Sequence, residues 1–173
     1  FFSEYGQRML PSQAGRTTMC PTELFFDRAN GSNYLKLLPI ETREGDLSLQ
    51  ELRRHPEHWI RYELDEDDPE TMRAVLAEVA RVRSVTPQQA RKFGFSEAML
   101  ETDRDNPGHV LIPTWRSAQI SIRHPLFERG LRILDTPGLN ALGSEPELTV
   151  SLLPAAHAIL FLLSADTGVT ASD

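Results

Sequence analysis

Residues Leu131 to Asn140 read Leu-Arg-Ile-Leu-Asp-Thr-Pro-Gly-Leu-Asn, and they constrain the fold more than any other stretch. An apolar run followed by an acid, a proline and a glycine is typical of a buried strand that ends in a loop. In α/β sheets, ligands bind at the carboxyl ends of the strands. Asp135 is therefore a candidate magnesium ligand acting through water, and Gly138 a candidate backbone N–H donor to a phosphate. A strand followed by a plain Pro-Gly turn explains the same residues.

Composition limits the class of protein. The chain has 173 residues, of which 40% are hydrophobic and 25% charged, so it can bury a core of its own. A formal charge of −7 argues against nucleic acid as a partner, because nucleic-acid affinity comes largely from clustered cations. Cys20 is the single cysteine, which favours a reducing compartment such as the cytoplasm. The longest apolar run, residues 155–165, is too short to span a bilayer.

The first part of the chain predicts a loop followed by a β-hairpin. Residues 1–10 are interpreted as the end of a helix, and residues 10–21 as a loop because they are rich in Pro, Ser, Gly and Thr. Thr22 to Asp27 and Tyr34 to Ile40 are β-rich runs separated by a turn signal at residues 28–33. We expect these two runs to pair as antiparallel neighbours.

The middle of the chain, residues 41–108, predicts a charged helical insert. Ser48, Asp68 and Thr86 each stand at a helix start, with Glu, Pro or Gln following at the positions that complete a cap. The second helix carries one apolar stripe, composed of Met72, Val75, Leu76, Val79 and Val82. We assign the acidic run 63–70, and the nearby pair His55 and His58, to solvated surface rather than to a metal site.

The last part predicts a second hairpin and a βαβ unit. Trp115 to Arg123 alternates apolar and polar residues, and a turn at residues 128–130 leads into the strand that ends at Asp135. Ser144-Glu-Pro-Glu147 is a capping box that opens a helix. Ala158 to Leu163 is a continuous apolar run, which we interpret as a core strand parallel to the strand before Asp135.

Two loops together resemble a known family. The stretch Leu-Pro-Ser-Gln-Ala-Gly-Arg-Thr-Thr-Met-Cys-Pro, residues 10–21, is similar to the first switch region of dynamin-like large GTPases, with Thr18 as the matching threonine. Asp135-Thr-Pro-Gly138 resembles the second switch of the same superfamily, within the bacterial dynamin family. The resemblance implies an α/β fold of the P-loop GTPase type, a three-layer sandwich. Residues 1–173 would then be a partial G domain, with the helical insert between the two switches.

The resemblance also implies a site for GTP and Mg²⁺. Thr18 would coordinate the metal and contact the γ-phosphate, Asp135 would hold the metal through water, and Gly138 would donate its N–H to that phosphate. Gly15 and Gln13 match positions whose backbone carbonyls help to hold a monovalent cation, although Gln13 replaces the usual glycine. Leu139 stands where small Ras-like GTPases carry a water-orienting Gln. The partners implied are GTP, a second copy that pairs through the nucleotide face, and membrane lipid.

Two motifs of this family are missing. No Gly-x-x-x-x-Gly-Lys-Ser/Thr phosphate loop and no Thr/Asn-Lys-x-Asp guanine motif occurs in the chain. We expect the phosphate loop before residue 1 and the guanine motif after residue 173, so that these residues alone would be inactive and a poor independent domain. A non-hydrolysing, G-domain-like interaction module whose insert binds a partner is the alternative. A Ras-like or Era-like GTPase fits the large insert less well.

Overall fold

The structure is a computed structural model that describes residues 20–96, 100–136 and 156–160. Three short 3₁₀ turns, Ile40–Glu44, Pro56–His58 and Glu78–Ala80, connect its helices and strands. In chain order the helices and strands are β1 (Thr22–Phe25), β2 (Tyr34–Pro39), α1 (Leu49–Leu52), β3 (Ile60–Glu63), α2 (Pro69–Ala77), β4 (Val82–Val85), α3 (Pro87–Lys92), β5 (Val110–Pro113), β6 (Trp115–Ser121), α4 (Pro125–Glu128) and β7 (Ile133–Asp135).

The fold is mixed α/β, as the sequence predicted. Five strands form one mixed sheet in the order β3-β2-β6-β1-β7, and β4 and β5 form a separate antiparallel pair. Within the large sheet β1 runs parallel to β6, whereas the other three neighbouring pairs are antiparallel. The chain therefore interleaves early and late strands in one sheet.

The predicted hairpin of Thr22–Asp27 with Tyr34–Ile40 is wrong, because β6 lies between β1 and β2. The turn itself exists: Gly31 has φ +62° and its N–H donates to the carbonyl of Asp27 at 2.7 Å. Past the turn the strands are held apart by Ser121 at the end of β6. Its hydroxyl oxygen accepts from the N–H of Asp27 at 3.0 Å, and its O–H donates to the carbonyl of Ser32 at 2.8 Å.

The second predicted hairpin is wrong for the same reason. β7 does not pair with β6 but with β1, which separates the two. Six of the seven residues of β6 are buried, with Gln119 the exception. A strand buried on both faces takes the centre of the sheet, where it has a neighbour on both sides, rather than the place next to its successor in sequence.

The three predicted helix caps are confirmed. Backbone N–H groups donate to the side chains of Ser48 at 3.3 Å, Asp68 at 3.1 Å and Thr86 at 3.3 Å, where α1, α2 and α3 begin. The segment 41–108 also contains β3 and β4, which the sequence did not predict, and Val82 lies in β4 rather than on the helix. Across the part of the chain that the structure describes, no helix is long and apolar enough to cross a membrane.

Helices cover both faces of the sheet at β2. On one face Leu37 belongs to the main core, to which α2 contributes Met72 and Leu76. On the opposite face Leu38 packs with α1 and with Trp59. A third cluster joins α3 to the β4–β5 pair around Ile40, Val85, Ala90, Phe93, Phe95, Val110 and Ile112. Each cluster removes apolar area from water, which is the main force that holds the elements together.

The predicted strand Ala158–Leu163 is not a strand over the residues that can be compared. Residues 158–160 have no regular structure, and Ile159 and Leu160 are 53% and 85% exposed. An apolar run becomes a strand only where a neighbouring strand offers hydrogen bonds, and no described strand pairs with this run. Three predictions lie outside the described residues: the rest of this run, residues 161–163; the elements over residues 1–19; and the helix that begins at Ser144.

Candidate functional site

The candidate site is the edge of the sheet at which β1 begins and β7 ends. The antiparallel register places Thr22 opposite Asp135, Glu23 opposite Leu134 and Leu24 opposite Ile133. The first residue of β1 is therefore the neighbour of the last residue of β7. The loop sequence that precedes β1 and the one that follows β7 are attached to the sheet at the same edge.

The segment that leads into β1 is firmly held. Cys20, Pro21 and Thr22 are buried, and the Thr22 hydroxyl donates to the carbonyl of Cys20 at 3.0 Å. The carbonyl of Pro21 accepts from the N–H of Ala118 at 2.9 Å and from the hydroxyl of Ser117 at 3.3 Å. Burial raises the pKa of the Cys20 thiol far above its usual value, so this thiol stays neutral.

Asp135 is at the place that the sequence analysis predicted for it, the carboxyl end of a strand. It is the last residue of β7 and is half-buried. The other predicted site residues, Thr18, Gly15, Gln13 and Gly138, lie outside the described residues. The structure thus describes one of the five predicted site residues, Asp135. It also describes the start of β1, which Thr18, Gly15 and Gln13 precede in the sequence, and the end of β7, which Gly138 follows.

Sequence reasoning missed a buried carboxylate next to this edge. Glu23 in β1 is 7% exposed. Its carboxylate accepts a hydrogen bond at 2.8 Å from Arg132, just before β7, and forms an ion pair at 3.0 Å with Arg53, at the end of α1. Gln119 on β6 donates to the same carboxylate at 3.2 Å. A charged residue within the otherwise apolar end of a short strand was the available signal, because buried acids are almost always paired.

The Glu23 network joins four elements around one charge. Arg132 also stacks over the ring of Phe25, with its guanidinium carbon 4.5 Å from the ring centroid. Because β1, β6, α1 and the segment before β7 all contact the same carboxylate, a shift of one element disturbs the others. The network can position the strand ends, but it presents no free nucleophile or acid.

In the described ranges, including the candidate site, no three His, Cys, Asp or Glu side chains are grouped to hold a metal ion. His55 bonds to Glu57 at 2.9 Å, and its ring lies 6.1 Å from that of His58. In the acidic run, Asp68 caps α2 and Glu66 accepts a hydrogen bond from Asn33. These side chains have structural partners on the surface.

The chain was also compared with known proteins. No protein-family model, curated protein sequence or solved structure matches it.

Proposed function

We propose that this chain forms part of a dynamin-like GTPase that binds GTP with Mg²⁺ and hydrolyses it where β1 begins and β7 ends. The observation that carries the proposal is the register that pairs Thr22 with Asp135. The two loop motifs lie more than a hundred residues apart in the sequence. The sheet nevertheless attaches both of them to one edge.

Chain length sets how close the two motifs must be. Thr18 precedes Thr22 by four residues, and Gly138 follows Asp135 by three. A residue spans at most about 3.5 Å of chain, so Thr18 is held within about 14 Å of Thr22 and Gly138 within about 11 Å of Asp135. A threonine hydroxyl and a carboxylate from these two loops can therefore act on one ligand.

The residue types suit the ligand. Hydroxyl and carboxylate oxygens, partly through water, are what Mg²⁺ prefers, and a bound Mg²⁺ neutralises charge on the β- and γ-phosphates. In this site Thr18 would contact the metal and the γ-phosphate, Asp135 would orient a metal-bound water, and Gly138 would donate its N–H to the phosphate. The buried β1 and the Glu23 network would keep these groups in place.

Substitution of Thr18 tests the proposal in the full-length protein. Thr18→Ala is expected to lower GTP hydrolysis by about a hundredfold or more, because the lost contact matters most in the transition state, while GTP binding changes little. Thr17→Ala, the matched control at the neighbouring threonine, is expected to keep near-normal hydrolysis. Equal rates for Thr18→Ala and wild type would remove Thr18 from the site.

Asp135 is tested by its effect on the metal. Asp135→Asn is expected to weaken nucleotide binding in the presence of Mg²⁺ and to abolish most of its Mg²⁺ dependence, whereas Asp46→Asn, at an exposed acid far along the chain, leaves both unchanged. Isothermal titration with and without Mg²⁺ measures this. If wild-type protein binds GTP without hydrolysing it, the alternative of a non-hydrolysing interaction module is supported instead.

A further inference from the structure

Strand β3 is one end of the five-stranded sheet, and one of its sides faces outward. The N–H of Leu64 donates to the carbonyl of Asn33 at 3.0 Å, which makes this a hydrogen-bonded pair at the end of the β2–β3 ladder. Because such pairs alternate along an antiparallel ladder, Tyr62 also bonds to β2, while Arg61 and Glu63 turn their backbone N–H and C=O groups away from it. The outward side of β3 has no strand partner among the described residues.

This edge has two of the usual protections against pairing, its short length and its charged side chains, but it lacks the others. Ile60, Arg61 and Glu63 are exposed, and the β2–β3 register is regular, with no bulge to twist the edge away. No proline interrupts the strand, and none of the helices in the described ranges covers it. An open edge of this kind is a template for another strand, unless the charges along it repel that strand.

The charges of β3 suit a second copy of the same strand. If two copies pair antiparallel about Tyr62, Arg61 of each lies opposite Glu63 of the other, and opposite charges in directly facing positions stabilise a sheet. Arg61 and Glu63 already bind one another within the chain, with Nε of Arg61 2.6 Å from the carboxylate. Both side chains therefore lie on the same face of the sheet. When two β3 strands pair, each can bind its opposite charge on the second copy without crossing to the other face.

The sequences that flank β3 differ in charge: the side before it is nearly neutral at pH 7 and the side after it is acidic. On the side before β3, Arg54, His55 and His58 are exposed, with Glu57 as the one acid among them. On the side after β3, every residue from Asp65 to Glu70 is exposed, and all except Pro69 are acidic. An antiparallel arrangement sets the nearly neutral side of each copy against the acidic side of the other, twice, whereas a parallel arrangement sets the two acidic sides together.

We propose that β3 pairs antiparallel with β3 of a second copy of this chain, so that two five-stranded sheets join across a two-fold axis. The occupant is a second copy because a foreign strand would have to match this alternation of charges by coincidence, whereas a two-fold axis matches it by symmetry. This contact is separate from any pairing through the nucleotide face, since β3 and β7 are at opposite ends of the sheet.

The edge is short, which sets what the dimer should look like. Four residues on each side bury far less than the roughly 1,200–2,000 Å² of a stable interface, so the association is expected to be weak and to depend on the Arg61–Glu63 pairs. Exposed charges are screened within about 8–10 Å at physiological salt. The dimer should therefore dissociate on dilution and on addition of salt.

Charge reversal tests the proposal on the full-length, nucleotide-free protein by sedimentation equilibrium. Arg61→Glu and Glu63→Arg each place like charges opposite one another and should weaken self-association by about tenfold or more. An equimolar mixture of the two variants should form heterodimers, because each then meets its opposite. The double variant R61E/E63R restores both the pair within the chain and the pairs between copies, and should self-associate like the wild type.

A matched control separates this contact from a general effect of charge. Arg81→Glu breaks a comparable exposed ion pair, with Glu78 at 3.2 Å, far along the chain from β3, and should leave the dimer unchanged. Circular dichroism verifies that each variant is folded. If a single variant does not fold, the self-association of the double variant tests the proposal instead. The proposal is wrong if the wild type is a monomer at every concentration, if Arg61→Glu does not weaken the dimer, or if the mixture fails to associate.

Discussion

The carboxylate of Glu23 accepts a hydrogen bond from the guanidinium of Arg132 at 2.8 Å, and this contact joins β1 to the residues that lead into β7. The side chain of Glu23 is about nine-tenths buried, whereas that of Arg132 is 58% exposed. Arg53 contacts the same carboxylate from the end of α1. Helix α1 belongs to the segment between the two loop motifs. Through Arg53, Glu23 and Arg132, it is thus linked to β1 and to the residues just before β7.

Glu23→Gln should destabilise the protein by about 1–3 kcal/mol, because two arginines lose their counter-charge. The exposure of Arg132 keeps this figure below the cost of breaking a fully buried pair. Urea unfolding measures the change, and Arg28→Gln, at an exposed arginine near the same strands, should alter stability by less than about 0.5 kcal/mol. Equal losses for the two variants would mean that the Glu23 network does not stabilise the fold.

Local features of this fold could be predicted from the sequence. Ser48, Asp68 and Thr86 start helices because each side chain accepts a hydrogen bond from an N–H three residues ahead, and that geometry depends only on neighbours in the chain. The turn at Gly31 and the strand that ends at Asp135 are local in the same sense. The position of Asp135 at the carboxyl end of a strand could therefore be inferred from the residues around it.

The arrangement of the strands could not be predicted in this way. Whether β1 pairs with β2 or with β6 depends on which contact buries more surface among strands that lie far apart in sequence, and the turn residues do not encode that competition. Glu23 was missed for a related reason. Its partners Arg53 and Arg132 come from distant segments, so the residues near Glu23 indicate that a buried acid there needs a partner but not which residues supply it.

Ser121 offers a direct test of the strand that separates β1 from β2. Its buried hydroxyl bonds to the N–H of Asp27 and to the carbonyl of Ser32, so Ser121→Ala leaves both groups short of a partner and should cost about 1–3 kcal/mol. Ser117→Ala is the matched control, because the carbonyl of Pro21 keeps its bond from Ala118. Urea unfolding should give a clearly larger loss for Ser121→Ala, and equal losses would contradict this view.

Asp103 should make stability depend on pH in the acid range. Hydrogen bonds from the Ser84 hydroxyl, the Asn106 amide and the Asp105 N–H lower the pKa of Asp103 to about 2. Because an unfolded Asp titrates near 3.9, the stabilising effect is complete above about pH 4 and is lost as the pH falls towards 2. Asp103→Ala should therefore lower the melting temperature clearly at pH 7 and much less near pH 2. Asp105→Ala removes a neighbouring exposed carboxylate. It should change the melting temperature by the same amount at both pH values.

Hydrolysis of GTP should become faster per molecule as the full-length protein is concentrated. Under the proposed function, Leu139 would stand at the position where small GTPases orient the attacking water, so we expect a second copy at the nucleotide face to order the loops and exclude bulk water. A several-fold rise in the rate per molecule, measured by phosphate release over a wide range of protein concentration, is the expected result. A flat rate would indicate a self-sufficient monomer. Arg61→Glu separates this effect from pairing of β3 edges: if the nucleotide face is responsible, the variant keeps the concentration dependence, and if the β3 edge is responsible, the variant loses it.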